Sequence, residues 1–247
     1  MEQDFEGKIV VITGAASGIG YATAQHFAAR GARIVGVDLG DRVTELVQAL
    51  PGGPHHGIVK DLTLDGAADA VLSEAIALVG IPDVLVNSAG IALLDPAVDV
   101  TAARWKATID VNLTATFFMA QAVGRAMLAA GSGRIINLAS QAAVIGLDQH
   151  AAYCASKAAI VGLTHVLSLE WAGRGVTVNA ISPTVVDTPL GKAAWAGAKG
   201  EKARSEIPVG RFAQPGEVAS LIAYLASDAA AMITGANVLI DGGRTTV

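Results

Sequence analysis

The sequence predicts an α/β chain: a doubly wound parallel sheet with helices on both faces, folded as a single domain over residues 1–247. Short β-branched apolar runs alternate with longer amphipathic stretches, the pattern left by strands joined through helical crossovers. A glycine cluster closes the first run and opens the first helical stretch. The 247 residues are 52% hydrophobic and only 16% charged, enough to bury one large core without division into further domains. With only 4% aromatic residues, the layers have to pack closely through Ala, Gly and Val.

The first run, Lys8–Thr13, leads into Gly14-Ala15-Ala16-Ser17-Gly18-Ile19-Gly20 and an amphipathic stretch from Tyr21 to Arg30. A glycine loop between strand and helix lets a pyrophosphate approach the backbone, where the helix N-terminus favours negative charge. Gly14, Ser17, Gly18, Ile19 and Gly20 are therefore candidate cofactor contacts. Their spacing is G-x-x-x-G-x-G rather than the commoner G-x-G-x-x-G. The second strand, Arg33–Asp38, ends in a carboxylate about twenty residues beyond the loop, where such folds hold the adenosine ribose. Asp38 can accept hydrogen bonds from the ribose 2′-OH and repels a 2′-phosphate, so NAD is expected over NADP, with Arg42 as the counter-signal. A third strand near residues 58–60 ends in Asp61-Leu62, where Asp61 can accept from an adenine amino group. A helix follows from about Asp65 to Val79. The fourth strand starts at Asp83 and runs into Asn87-Ser88-Ala89-Gly90, a small-residue turn against which a cofactor can lie. His55 and His56 have no partner at metal-ligand spacing and are read as a solvated loop, so no metal is expected.

A long helical segment, Thr101 to Ala130, contains Asn112, and a strand from Arg134 to Leu138 leads to Ser140-Gln141. Next comes Tyr153-x-x-x-Lys157, a spacing that puts phenol and ammonium on one helix face. A neighbouring cation favours the phenolate, turning a group of ordinary pKa about 10 into a usable proton acceptor. The stretch Gly191 to Phe212 carries Lys192, Lys199, Lys202, Arg204 and Arg211 among alanines and glycines. It reads as a helical lid that excludes water, its basic residues forming a solvated face rather than a dock for an acidic carrier protein. A helix near Pro215 to Ala226 and a strand over residues 237–243 end the chain.

The net charge of −5 and the absence of any basic run argue against nucleic-acid binding. Met1-Glu2-Gln3-Asp4 lacks the features of a signal peptide, and no apolar run is read as long enough to span a bilayer, so a cytoplasmic location is expected. The single cysteine, Cys154, excludes an internal disulfide and fits a reducing compartment.

Thr13-Gly14-x-x-x-Gly18-x-Gly20, Asn87-Ser88-Ala89-Gly90, Asn112, Ser140 and Tyr153-x-x-x-Lys157 occur in that order across the chain. Together they resemble the short-chain dehydrogenase/reductase family. The resemblance implies a Rossmann-type fold in which residues 1–90 mainly bind the dinucleotide. Residues 91–247 would then carry the catalytic groups, a lid at about 187–212 and the contacts of a homotetramer. It implies that Tyr153 is the catalytic acid/base, that Lys157 lowers its pKa and binds the nicotinamide ribose, that Ser140 bonds the reacting oxygen, and that Asn112 holds a water in a proton relay. Ser88 departs from the pattern, many members having a second Asn there.

Pro183-Thr184-Val185-Val186-x-Thr188-x-x-Gly191, with Trp195, Gln141 and His150, is similar to the branch of polyol dehydrogenases and xylulose reductases. By that similarity Gln141, His150 and Trp195 line the substrate pocket with Ser140 and Tyr153, and Val186 and Thr188 touch the nicotinamide carboxamide. Asp187 stands where an apolar residue is usual. The expected activity is NAD-dependent oxidation of a secondary alcohol in a small polyol or diol, reversible as ketose or hydroxyketone reduction. A 3-oxoacyl thioester reductase is the enzymatic alternative, opposed by Asp38, Gln141 and His150. Retention of Ser140, Tyr153 and Lys157 opposes a non-catalytic NAD-sensing scaffold.

Overall fold

The computed structural model describes residues 4–195 and 197–246. Met1–Gln3 of the acidic N-terminus, Ala196 in the expected lid, and Val247 lie outside the described residues. The strands are β1 (Ile9–Thr13), β2 (Arg33–Asp38), β3 (His56–Val59), β4 (Val84–Asn87), β5 (Gly133–Leu138), β6 (Val176–Pro183) and β7 (Asn237–Ile240). Between them run α1 (Gly18–Ala28), α2 (Arg42–Gln48), α3 (Ala67–Val79), α4 (Ala102–Ile109), α5 (Ala115–Ala130), α6 (Ala151–Trp171), α7 (Pro189–Ala194), α8 (Gly197–Ser205) and α9 (Pro215–Ala226).

All seven strands form one parallel sheet in the order β3-β2-β1-β4-β5-β6-β7. Side chains alternate between its faces. Val10, Ile12, Ile34, Val86 and Ile136 join a core with Phe27 of α1, Val43 and Val47 of α2, and Ile222 of α9. Ile9, Val11, Val35, Leu85 and Ile135 join a second core with Val71 of α3, Met119 and Met127 of α5, and Trp171 of α6. Both faces are covered, which is why β1 and β4 are apolar and buried throughout apart from the polar residues that end them. The strand order reverses between β1 and β4, so the connections leaving their C-terminal ends part and open a crevice.

The helical segment expected over Thr101 to Ala130 is present as α4, a π turn over Asp110–Thr114 and α5. The extra residue in the π turn accompanies the bonding of the Asn112 side chain to the main chain of Ile91. Two other sequence expectations are corrected. His55 is buried, not solvated: Nδ1 accepts the Ile34 amide at 3.1 Å and Nε2 faces the Pro51 carbonyl at 2.9 Å. A carbonyl only accepts, so Nε2 carries the proton. β3 begins opposite Val35, and the ring serves a β2 amide at the edge of that ladder. Finally, residues 102–130 and 151–174 do have the length and mean hydropathy (1.2 and 1.3) of a membrane span. Both turn a buried face to the sheet, as core helices do.

His55→Ala leaves the Ile34 amide without its acceptor, and the expected loss of stability is about 1–3 kcal/mol. It should appear as a lower urea midpoint with an unchanged slope.

Candidate active site

A cleft of about 1530 Å³ lies at the crevice, lined by Asp38, the glycine loop, Asp61, Leu62, Ala89 and Gly90 among others. Gly14 and Gly18 have φ of +69° and +54°, a region that favours glycine. A Cβ on Gly20 would come within 2.2 Å of the Gly14 carbonyl oxygen, so its absence lets α1 start directly against the end of β1. Ser17, the N-cap of α1, makes no side-chain cap bond, which leaves the first amides of the helix available to an anionic group. Ser88 and Ala89 donate their amides to Thr13 Oγ1, each at 3.1 Å, which pins the opposite wall. These features fit a dinucleotide whose pyrophosphate rests on the loop.

Asp38 accepts the Ala16 amide at 3.0 Å on one oxygen and the Gly40 amide at 3.1 Å on the other. A carboxylate has about four acceptor sites, so lone pairs remain for a ligand hydroxyl. Arg42 is exposed and does not line the cleft. Asp61 accepts both the amide and the hydroxyl of Thr63, which hold its carboxyl below the usual range. Asn87 is turned inward, where Nδ2 donates to Asn137 Oδ1 at 2.9 Å. It shapes the cleft through the backbone of β4.

Tyr153 and Lys157 share a face of α6 beside this cleft. Lys157 is 5% exposed. Its Nζ donates to the Leu138 carbonyl at 2.7 Å and lies 5.7 Å from the centre of the Tyr153 ring. Burial lowers its pKa to about 8. Burial likewise pushes the Tyr153 phenol up, outweighing the opposing hydrogen bond from Ser140. The depression expected from the neighbouring ammonium is therefore absent in the unliganded chain, because desolvation disfavours the charged form of both groups. Ser140 stands just beyond β5, its Oγ accepting the Ala142 amide at 3.1 Å.

Asn112 ties this centre together. Its Oδ1 accepts the Ile91 amide at 2.8 Å, and Nδ2 donates to the Ile91 carbonyl at 2.9 Å and to Ser156 Oγ at 3.1 Å. Ser156 in turn donates to the Tyr153 carbonyl at 2.8 Å. Both Nδ2 hydrogens are committed, so on this side chain a relay water can only donate to the remaining Oδ1 lone pair.

A second cavity, about 860 Å³, opens over Tyr153 and is lined by Ser140, Gln141, His150, Val186, Thr188 and Trp195 among others. His150 caps α6, and its Nδ1 faces the Asp148 carbonyl at 2.5 Å. Nδ1 therefore carries the proton, leaving Nε2 as an acceptor in the neutral ring. Burial lowers the pKa of this histidine, which favours that neutral form. Trp195 stacks on the ring at 6.0 Å between centroids, and Tyr153 meets it edge-on at 5.9 Å. Thr188 caps α7 by accepting the Gly191 amide at 3.0 Å. Asp187 faces away from the cavity and lies 3.4 Å from Lys192 Nζ. The lid residues form α7 and α8.

Leu147, Thr184 and Val185 also line the cavity without having been singled out in the sequence as wall residues. Apolar lining residues look like any others in a sequence. The Leu138 carbonyl that receives Lys157 was invisible for a simpler reason: every residue has one.

Gly20→Ala would drive a Cβ into the Gly14 carbonyl, an overpacking cost of about 1–3 kcal/mol. Concentrated in the loop, it should weaken dinucleotide binding roughly ten- to hundredfold, measured by fluorescence titration, with the far-UV CD spectrum retained.

A family model described as enoyl-(acyl carrier protein) reductase matches residues 14–245. The chain is 52% identical to D-threitol dehydrogenase of Mycolicibacterium smegmatis, covering 97% of this chain and 94% of that one. It is 48% identical to an NAD-dependent glycerol dehydrogenase of Listeria innocua, covering 99% of this chain and 97% of the relative. A crystal structure from Beutenbergia cavernae, described as a candidate NAD(P)-dependent gluconate 5-dehydrogenase with NADP bound at low occupancy, superimposes with a TM-score of 0.94 at 40% identity, covering 100% of both chains. With likeness of this degree along its whole length, and with Ser140, Tyr153 and Lys157 gathered beside a dinucleotide cleft, the chain belongs to the short-chain dehydrogenase/reductase family of oxidoreductases.

Proposed function

We propose that the protein is an NAD-dependent dehydrogenase of a small neutral polyol or diol, working in reverse on the matching ketose or hydroxyketone. The observation that carries this reading is the chemistry of the cavity wall. Among the described residues lining it, Lys157 is the one charged group, and it is held by the Leu138 carbonyl. A carboxylate substrate such as gluconate calls for an arginine or a second lysine, because charge-assisted pairs are what recognise that group. A neutral polyol calls instead for hydrogen-bonding groups. His150 supplies an acceptor at Nε2, and Gln141 supplies a buried amide whose Oε1 has no donor within the protein. A site built to bond hydroxyls rejects analogues that lack them, which a purely apolar pocket does poorly. The same polar wall is unsuited to the acyl chain of a 3-oxoacyl thioester.

Bound nicotinamide supplies the acceptor for the hydride leaving the carbinol carbon. Ser140 holds the reacting oxygen, Tyr153 takes the hydroxyl proton, and the Lys157 ammonium steadies the phenolate that does so. Trp195, stacked on His150, closes the cavity against water. Asp38 supports NAD over NADP by presenting a carboxylate where a 2′-phosphate would sit. The NAD-dependent Listeria relative agrees with this choice, and the NADP in the Beutenbergia structure makes it the point to test. The proposal extends to a cytoplasmic homotetramer. Phe118 on α5 and Val166 and Leu169 on α6 are exposed apolar residues of the kind a neighbouring subunit covers.

The test is NADH or NADPH formation with NAD or NADP across glycerol, 1,2-propanediol, threitol, erythritol, xylitol and gluconate and, in the reverse direction, NADH or NADPH consumption with an acetoacetyl thioester. Turnover of neutral polyols with NAD is expected. Selective turnover of gluconate, or of the thioester, would refute the reading. Asp38→Ala should improve kcat/KM for NADP relative to NAD by about tenfold or more, about 1.4 kcal/mol of discrimination.

Tyr153→Phe should lower kcat by roughly 10²–10⁴ while leaving NADH binding in place. The pH dependence should differ between directions. Oxidation needs the Tyr153 phenolate, whose pKa is raised, and the Lys157 ammonium that steadies it, so its rate climbs with pH until that ammonium is lost above about 8. Reduction needs the phenol and the ammonium together, so its rate falls as pH rises through about 8. Initial rates in both directions across that range check this.

A further inference from the structure

We propose that the ion pair between Asp95 and Arg104 orients His150 and thereby sets the preference for substrates carrying a second hydroxyl; the inference rests on the polyol reading above. The connection that follows β4 runs beside the residues entering α6. There the Asp95 amide donates to the Gln149 carbonyl at 3.1 Å, and Asp95 pairs with His150 as an isolated parallel bridge. Asp95 is held from its other side as well. Its Oδ2 is ion-paired with Nε of Arg104 on α4 without hydrogen-bond geometry, and both atoms are shielded from solvent although the two side chains are 25% and 43% exposed. Arg104 has its own anchors: its amide donates to Thr101 Oγ1 at 3.3 Å, and its carbonyl accepts the Thr108 hydroxyl at 2.9 Å.

Gln149, one residue before His150, has φ of +63°, the one non-glycine residue with positive φ among the described residues. Such a conformation persists where the surroundings hold it. The Gln149 side chain is exposed and bonds to Asp148, its own neighbour. The peptide between Gln149 and His150 is held on both sides, its carbonyl by the Asp95 amide and its N–H by the Leu147 carbonyl at 3.2 Å, and Asp95 is in turn paired with Arg104. The direction of His150 Nε2 follows from that peptide, from the Asp148 carbonyl on Nδ1 and from the rings of Trp195 and Tyr153. Neither Asp95 nor Arg104 lines the substrate cavity, so both are positioning residues acting through His150.

The test compares a vicinal diol with a mono-alcohol, 2,3-butanediol against 2-butanol, in steady-state kinetics with NAD. In Arg104→Ala, KM for the diol should rise about tenfold, with kcat within about twofold. KM for NAD and the kcat/KM for 2-butanol should be unchanged, and Arg104→Lys should recover part of the loss. In a His150→Ala background Arg104→Ala should add nothing, because residues acting through one contact are not additive. If the alanine variant loses its thermal transition, Asp95→Asn carries the same comparison. Diol preference surviving undiminished in Arg104→Ala or Asp95→Asn, an equal loss on both alcohols, or additivity with His150→Ala would overturn the proposal alone. Wild-type enzyme turning over the two alcohols equally well would remove the polyol reading and this inference with it, a pattern distinct from the other three.

Discussion

The site depends on keeping an ammonium group out of water. Lys157 is nearly inaccessible, and its Nζ hydrogen-bonds to the Leu138 carbonyl at the end of β5. Burial at this depth requires every neighbour to be placed closely. Gly90 shows how closely: a Cβ there would stand 3.5 Å from Nζ and 3.3 Å from Asn112 Oδ1. The same burial that lowers the Lys157 pKa raises that of Tyr153. Desolvation thus shifts both groups toward their neutral forms.

Around that centre the fold joins two cavities rather than enclosing one. Ile19, Ser88, Gly90 and Thr188 line both the dinucleotide cleft and the substrate cavity. The two cavities therefore meet where the turns after β1 and β4 and the start of α7 converge. Asn112 joins the two sides by bonding the main chain beyond β4 on one side and Ser156 of α6 on the other. The π turn that carries Asn112 is the local irregularity accompanying that bond.

In the second cavity the chemistry of each group follows from its hydrogen-bond partners. The Asp148 carbonyl decides which nitrogen of His150 holds the proton, and hence that the other nitrogen accepts. Asp187 shows the reverse case. A carboxylate between Val186 and Thr188 in sequence is turned toward Lys192, and no carboxylate stands among the described residues lining the cavity.

The sequence by itself determined the alternation of strands and helices, the glycine loop, the carboxylate ending β2 and the order of the catalytic residues. These are local features, set by side-chain periodicity and by the backbone freedom of glycine, and they survive translation into coordinates nearly residue for residue at β2 and α9. β6 was not singled out because polar residues interrupt its apolar run. Asn179 sits there fully paired with Ile233 and Ala236, partners far along the chain. His55 was misread for the same reason, its role being to accept an amide from β2. Only the tertiary structure decided the raised phenol and lowered ammonium, the direction of Asp187 and the tautomer of His150. Each of those depends on how much water and which carbonyl or charge the fold brings to within a few ångströms, and sequence spacing carries no record of that.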